Sequence, residues 1–256
     1  MLSRLLTLDT PPRIDEPELI DDDNQPYDDF RISMGDVRNA NRFLGGTVVV
    51  TRQLRRWFQE KPFQTLGRPL TILDVATGSG DIPEAILPLA ERAGLPVRII
   101  GLDYSPPILR FAREKVGHHS EIRLLRGDAF QLPLENHSVD IALCSLAFHH
   151  FGFEQSVQAL QEMERVARYG WIVNDLRRAW SAWYLIRMVA AVTNMNRLTR
   201  HDGPASVLRA YSVPEYRQMA QGLGLQVGRE VELRRSLFYR VALVRRKALD
   251  SHELGI

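Results

Sequence analysis

A glycine-containing turn between a predicted strand and a predicted helix carries the residues best suited to chemistry. The turn spans residues 76–81, follows an apolar run that ends at Val75, and contains Gly78 and Gly80. Glycine has no Cβ, so the backbone can turn sharply there and a ligand can approach closely. A second apolar run ends at Asp103, and a strand-terminal acid at this interval holds a nucleoside ribose in doubly wound sheets. The spacing therefore predicts a site for a nucleoside cofactor.

The acids around this turn indicate a cationic cofactor rather than a dinucleotide. The dinucleotide fingerprint G-x-G-x-x-G/A needs a small third residue, and Pro83 occupies that position here. Asp74, Asp81 and Asp103 would repel a pyrophosphate. The same three carboxylates suit an ammonium, a sulfonium and a ribose diol.

Four segments in register resemble the motifs of the class I S-adenosylmethionine-dependent methyltransferases, in the ubiquinone/menaquinone-methyltransferase-like branch. They match, in order, the glycine motif D/E-x-G-x-G-x-G, the ribose acid, the G-D/N-A-x-x-L-P segment and the fourth strand: residues 74–80, 102–106, 126–133 and 138–145. Ala76 stands where the family has its first glycine, and the branch's usual L-K-P-G-G before strand five is shortened. The resemblance covers residues 70–176.

The resemblance implies an α/β, Rossmann-like doubly wound sheet of seven strands in the order 3-2-1-4-5-7-6, with strand seven antiparallel. It implies S-adenosyl-L-methionine as the cofactor, with Asp103 on both ribose hydroxyls, Asp128 on the adenine amino group and the Ala129 amide on the ring. The residues expected to bind the cofactor are Asp74, Ala76, Thr77, Gly78, Ser79, Gly80, Asp81, Asp103, Tyr104, Asp128, Ala129 and Ser145.

Periodicity divides the chain into a prelude and a core. Residues 1–66 are predicted to form an N-terminal extension and a helical cap, with helices near 29–44 and 49–58. Residues 67–256 are predicted to form the methyltransferase domain, with a helical insertion at about 177–210. Two β-rich runs, 225–233 and 237–246, are predicted to add an antiparallel hairpin to the sheet edge.

Candidate catalytic groups follow the fourth strand. His149 and His150 lie at the carboxyl edge, where open α/β sheets bind ligands, and a histidine there could remove a proton near neutral pH. In this branch the pair often only packs beside the cofactor. Arg177 could bind an acidic acceptor or could be a solvated or capping residue. No carboxylate stands at ligand spacing from the histidines, so no metal is predicted.

Composition narrows the class of protein. The chain has 256 residues, a formal net charge of +2 and 45% hydrophobic residues, which suits one domain and favours neither nucleic acid nor a membrane. A single cysteine, Cys144, permits no intrachain disulfide and is typical of a reducing cytoplasm. Met1 to Leu8 lack a signal-peptide pattern, and the apolar stretch 179–192 is too short to span a bilayer. The sequence leaves the oligomeric state open.

These observations together predict an S-adenosylmethionine-dependent methyltransferase. It would act on oxygen or carbon of a small acceptor that is aromatic or polyketide-like. Two alternatives remain from the sequence: an NAD-dependent oxidoreductase, and a non-catalytic protein that keeps the fold as a partner subunit.

Overall fold

The computed structural model describes residues 10–22, 25–43, 45–193 and 195–247. The signal-peptide prediction at Met1 to Leu8 and the end of the first predicted helix at Leu44 lie outside the described residues. Within the described ranges, no helix is both long and apolar enough to cross a bilayer.

One seven-stranded sheet forms the centre of the molecule, in the order β3-β2-β1-β4-β5-β7-β6. Strands β1 to β5 are parallel where they pair, and β7 runs antiparallel to both β5 and β6. This order and the reversed seventh strand confirm the predicted fold class. The strands are β1 (Leu70–Val75), β2 (Val97–Asp103), β3 (Ile122–Arg126), β4 (Val139–Ser145), β5 (Ala167–Leu176), β6 (Val231–Ser236) and β7 (Arg240–Arg246).

Helices cover both faces of the sheet and its carboxyl edge. They are α1 (Tyr27–Phe43), α2 (Gly46–Phe58), α3 (Lys61–Gln64), α4 (Asp81–Arg92), α5 (Pro106–Val116), α6 (Phe153–Val166), α7 (Trp180–Val192), α8 (Arg197–Arg209) and α9 (Val213–Gly222). Short 3-10 turns span Leu19–Asp21 and Phe148–His150.

Alternating residues of the strands pack into two separate cores, one on each face of the sheet. Ile72 faces one core, where it packs with Leu54 of α2 and Ile86 of α4. The next residue, Leu73, faces the other core, which includes Met163 of α6 and further residues of α9. Successive side chains of a strand point to opposite faces, so an apolar run without polar interruptions is buried on both sides. The sheet is thus held rigidly, with its carboxyl edge left for ligands.

An N-terminal segment, residues 10–22, lies across this edge. Arg13 donates from Nε to the Arg209 carbonyl at 2.8 Å and from Nη2 to the Phe151 carbonyl at 2.9 Å. The buried carboxylate of Asp202 accepts from the backbone N–H groups of Leu19 at 2.8 Å and Ile20 at 3.0 Å. These contacts tie the segment to α8 and to the turn after β4.

The predicted bounds of the fifth strand and of the hairpin differ from the structure. The sequence pattern predicts a fifth strand over 170–175, but β5 begins three residues earlier, at Ala167. The run 225–230 is a turn rather than a strand, because the N–H groups of Glu230 and Val231 both bond the Gln226 carbonyl. Gly228, at a φ of 97°, supplies the left-handed residue that this turn needs.

Candidate cofactor and acceptor site

The turn after β1 is built by residues with left-handed backbone. Gly80 has a φ of 74°, and a Cβ there would lie 2.8 Å from the Val116 side chain. Gly78 has a φ of 55°. The turn is anchored to β2, because the Thr77 N–H donates to the Leu102 carbonyl at 2.9 Å. This turn therefore presents its backbone at the point where α4 begins.

Ala76 replaces the first glycine of the resembled motif and keeps the glycine conformation. Its φ is 54°, a region that costs a residue with a Cβ roughly 1–2 kcal/mol. Ala76 also lines the cavity described below. Ala76 thus takes a backbone conformation that favours glycine, at a small cost in stability.

Asp103 closes the other side of the turn and is only 6% exposed. Its Oδ2 accepts from the Gly78 N–H at 3.0 Å, and its Oδ1 accepts from the Ser105 N–H at 3.1 Å. Burial raises the pKa of this carboxyl, although backbone hydrogen bonds from Ser105, Gly78 and Tyr104 act in the opposite direction. A carboxylate offers about four lone-pair sites, so Asp103 keeps acceptor capacity for a ligand hydroxyl.

Asp74 and Asp81 bring two more carboxyl groups to the same turn. Asp74 is 1% exposed, its Oδ2 accepts from the Thr77 hydroxyl at 2.7 Å, and its Oδ1 is buried without a hydrogen-bond partner in residues 10–22, 25–43, 45–193 and 195–247. Burial, reinforced by the charges of Asp81 and Asp103, raises the pKa of Asp74 to about 8. Asp81 accepts from the Ser79 hydroxyl and from Asn41 Nδ2, and burial raises its pKa as well.

We expect the free energy of unfolding to fall with pH because of Asp74, and Asp74→Asn to remove that slope. The folded carboxyl keeps its proton up to about pH 8, whereas the unfolded one ionises near its ordinary value of about 4. The stability present below pH 4 is therefore lost as pH rises toward 8, at up to about 1.4 kcal/mol per pH unit. Urea titrations at pH 5, 6, 7 and 8 measure it.

The matched control is Asp128→Asn, which makes the same change at an exposed carboxyl. The control is expected to keep the slope of the unaltered protein. Parallel pH curves for the unaltered protein and Asp74→Asn would contradict the expectation.

The structure separates the other predicted cofactor residues into two groups. Ala76, Gly78 and Asp103 line one cavity, and Thr77, Ser79 and Gly80 are buried around them. Tyr104 is 68% exposed, and the Arg126 guanidinium carbon lies over its ring, 5.6 Å from the ring centre. Three predicted residues remain. Asp128 is exposed, and its Oδ1 accepts from the Phe130 N–H. Ala129 is buried in a core, and Ser145 Oγ accepts from Asn174 Nδ2. The adenine role of Asp128 and Ala129 stays a prediction.

A cavity of about 510 Å³ extends from the turn toward α7 and α8. Apolar side chains of three helices form most of its wall: Met34, Val37 and Ala40 of α1, Ala182, Ile186 and Val189 of α7, and Val207 of α8. Polar groups line its floor near the sheet edge. This volume is within the ~300–1,000 Å³ range of small-molecule sites.

His149 lies at the floor of the cavity and is held by Asp175. Its Nδ1 is 2.7 Å from Asp175 Oδ1, and its backbone N–H donates to Asp175 Oδ2 at 3.1 Å. Burial acts to raise the pKa of Asp175, but His149 and the backbone donors outweigh it and hold that pKa below its usual value. The paired Nδ1 leaves Nε2 as the ring atom able to exchange a proton with a ligand.

His150 and Glu18 complete this polar floor. His150 Nδ1 is 3.2 Å from Asp21 Oδ2, and burial, which opposes its positive charge, is outweighed by Glu18 and Asp21, so its pKa rises to about 9. Glu18 approaches His149 Nε2 at 3.8 Å and His150 Nε2 at 3.9 Å. Candidate ligand atoms of Glu18, His149 and His150 all lie within 4.8 Å of one another.

Glu18, Asp21, Asp175 and Arg240 belong to the site although they were not predicted as site residues. Glu18 and Asp21 come from the acidic, proline-rich N-terminal segment, and nothing in their local spacing relates them to the histidines. Asp175 is the penultimate residue of β5 and lies at the same sheet edge as the histidines, and that position was a usable signal.

Part of this chain is similar in sequence to known methyltransferases. Residues 72–170 match the family model of a methyltransferase domain. The demethylmenaquinone methyltransferase of Deinococcus radiodurans is 38% identical over 118 residues, which are 45% of this chain and 46% of that protein. That of Bacillus licheniformis is 32% identical over 126 residues, 48% of this chain and 52% of that protein. The chain thus spans about half the length of the curated relatives that it matches.

A solved structure extends the likeness of fold beyond this region. The plantazolicin methyltransferase BpumL in complex with SAH aligns with a TM-score of 0.62 at 12% identity, over 90% of this chain and 93% of that one. At this identity the alignment supports the fold alone.

Proposed function

We propose that this chain, whose residues 72–170 are a class I methyltransferase domain of the menaquinone-methyltransferase-like branch, transfers a methyl group from S-adenosylmethionine to a small acceptor. The acceptor atom is an oxygen or an acidic carbon, and the acceptor is aromatic or polyketide-like. The apolar cavity beside the glycine turn supports this class of acceptor. The helices of the prelude and of segment 177–210 would enclose it as a cap.

The observation that carries the proposal is the group of buried carboxyls at the turn. Asp74, Asp81 and Asp103 all have raised pKa values because burial there disfavours their negative charge. Asp74 also has an oxygen with no partner among the described residues. A ligand with an ammonium and a sulfonium supplies the missing positive charge, whereas a pyrophosphate would add to the repulsion.

The residues of the chain supply alignment, enclosure and a proton acceptor. When bound, S-adenosylmethionine supplies an activated methyl group whose carbon–sulfur bond breaks to leave a neutral thioether. Asp103 would hold the ribose diol, and the carboxyls at the turn would hold the cationic end. His149 Nε2 would take the proton of the acceptor O–H or C–H as the oxygen or carbon attacks the methyl carbon. Asp175 would orient the imidazole and stabilise its positive charge.

The test of the function is transfer of a labelled methyl group. Purified protein is incubated with deuterated-methyl S-adenosylmethionine and a metabolite extract, and mass spectrometry is expected to find a deuterium-shifted small product. Thermal stabilisation by S-adenosylhomocysteine but not by NAD is expected in parallel. Stabilisation by NAD alone, or label found in RNA instead of small molecules, would reject the proposal.

We expect His149→Ala and Asp175→Asn each to lower the rate of methyl transfer about 100-fold. Affinity for S-adenosylhomocysteine is expected to stay within about twofold, since neither residue would bind the cofactor. The double variant is expected to be no slower than His149→Ala, because Asp175 acts through the histidine. Rates of label transfer and calorimetric affinities measure both quantities.

His201→Ala is the matched control for the pair formed by His149 and Asp175, the dyad. His201 Nδ1 also lies 2.9 Å from an aspartate, Asp202, but His201 is exposed and is not part of the cavity wall. The rate of methyl transfer by His201→Ala is expected to equal that of the unaltered protein. An unchanged rate in His149→Ala would leave alignment alone as the catalytic contribution.

A further inference from the structure

Arg240, the first residue of β7, has a buried guanidinium that forms part of the cavity wall. The residue is 4% exposed and lines the cavity. Its Nε and Nη1 atoms are buried without a hydrogen-bond acceptor in the described part of the chain. Two donors of a cationic side chain therefore lack a partner beside a space that can hold a ligand.

Such an arrangement is costly without a ligand. Removing a charged group from water without a partner is strongly unfavourable, and burial lowers the pKa of Arg240 to about 10. Arg209, which is equally buried, is bonded throughout: its three nitrogens donate to the carbonyls of His149, Glu16 and His150. Arg240 thus differs from a structural arginine of the same fold.

The location of Arg240 relates it to the cofactor end of the cavity. It pairs across the sheet with Leu176, the last residue of β5. Two carboxylates favour the positive charge of Arg240 and raise its pKa: Asp175, which holds His149, and Asp81, at the glycine turn. Neither carboxylate forms an ion pair with it among the described residues. Arg240 therefore faces the region between the turn and the dyad.

The proposed cofactor has a zwitterionic end that needs both signs of charge. If Asp103 holds the ribose, the carboxyls of the adjoining turn, Asp81 among them, would receive the ammonium. The adjoining carboxylate then needs a positive partner, and a guanidinium offers five N–H donors in a fork that matches a carboxylate. Arg240 supplies the unpaired cation on that side.

Building on the proposed function, we infer that Arg240 binds the α-carboxylate at the methionine end of the cofactor. The carboxyl groups of Asp74 and Asp81 at the turn would hold the α-ammonium. Arg240 is then a cofactor-binding residue contributed by the reversed seventh strand, outside the segment that resembles the family motifs.

Two ligands that differ only in this carboxylate test the inference. Calorimetry compares S-adenosylhomocysteine with its decarboxylated form, S-adenosyl-3-thiopropylamine, which keeps the ammonium. We expect Arg240→Met to weaken S-adenosylhomocysteine about 10- to 100-fold, as loss of a charge-assisted bond does, and to leave the decarboxylated ligand within about twofold. Arg240→Lys keeps the charge but not the forked donors, so its affinity for S-adenosylhomocysteine is expected to lie between those of Arg240→Met and the unaltered protein.

Arg177→Gln is the control, because Arg177 also lines the cavity but places its guanidinium 5.3 Å from the Tyr239 ring centre. It is expected to leave the ratio of the two affinities unchanged. The ratio does not depend on the fraction of folded protein, so it remains informative if Arg240→Met is unstable. The melting temperature of ligand-free Arg240→Met is expected to equal or exceed that of the unaltered protein, since an unpaired buried charge is removed.

Each other outcome overturns the inference. Equal weakening of both ligands would make Arg240 a structural residue, and no weakening of either would mean that it receives an anion of another molecule, such as the acceptor. If the unaltered protein binds neither ligand, the proposed function itself fails. Binding with an unchanged ratio in Arg240→Met rejects only the role of Arg240.

Discussion

Asp103→Ala is expected to weaken binding of S-adenosylhomocysteine about 1000-fold. The carboxylate would accept two ribose hydroxyls, and each hydrogen bond to a charged group contributes roughly 1.5–3 kcal/mol. The variant also removes the acceptor for the Gly78 and Ser105 N–H groups, so the turn keeps the Thr77 bond to the Leu102 carbonyl but loses its side-chain tie to β2. Isothermal titration calorimetry measures the affinity, and a thermal melt shows whether the variant is folded.

Two further variants make this result decisive. Asp103→Asn keeps one oxygen acceptor for the turn but removes the charge, and we expect an intermediate loss. Asp128→Ala, at the exposed carboxyl predicted to bind adenine, is expected to lose only about fivefold in affinity, since one exposed hydrogen bond contributes about 1 kcal/mol. Equal affinities in Asp103→Ala and the unaltered protein would remove the ribose from this position.

Gly170→Ala is expected to destabilise the protein by more than about 4 kcal/mol, enough to leave little folded protein. Gly170 has a φ of 144°, and a Cβ there would lie 2.0 Å from the Arg245 carbonyl oxygen of the neighbouring strand β7. Backbone in the middle of a sheet cannot move aside at small cost. Soluble yield and urea titration measure the loss.

Gly94→Ala is the matched control for Gly170→Ala. Gly94 also has a left-handed backbone, with a φ of 68°, but a Cβ there would meet no atom within 4 Å. Its expected cost is only the conformational term of about 1–2 kcal/mol. Similar stabilities of the two variants would show that β7 can yield at Gly170. The result bears on the site, because the same strand β5 delivers Asp175.

The order of the sheet was predictable because the strongest signals lie in its five parallel strands. Runs such as 97–103 are apolar on both faces and end in motif residues, so their type, direction and order follow from the sequence and the resemblance. The predicted strand bounds that were wrong rest on weaker sequence patterns. Residues 225–230 contain alternating apolar residues that a turn around Gly228 interrupts, and periodicity alone did not show that turn.

The floor of the acceptor cavity was only half predictable. The histidines were identified because they follow a parallel strand, and such strands end at the ligand-binding edge. Glu18 and Asp21 could not be identified, because the contacts that bring them there join residues far apart in sequence, such as Leu19 N–H with Asp202 and Arg13 with Arg209. Arg240 gave no signal either, since an arginine at the start of an edge hairpin is ordinarily exposed.

Helix α7 packs in a small apolar cluster of its own at the edge of the cavity. One side of this helix faces the cavity with Ile186 and Val189, and its other side exposes Tyr184, Met188 and Val192 to solvent. It packs through a small cluster around Ala182 and Val207 that lies apart from both sheet cores. Substitutions on the cavity side of α7 would therefore change the acceptor space of the proposed enzyme while leaving the two sheet cores and the glycine turn in place.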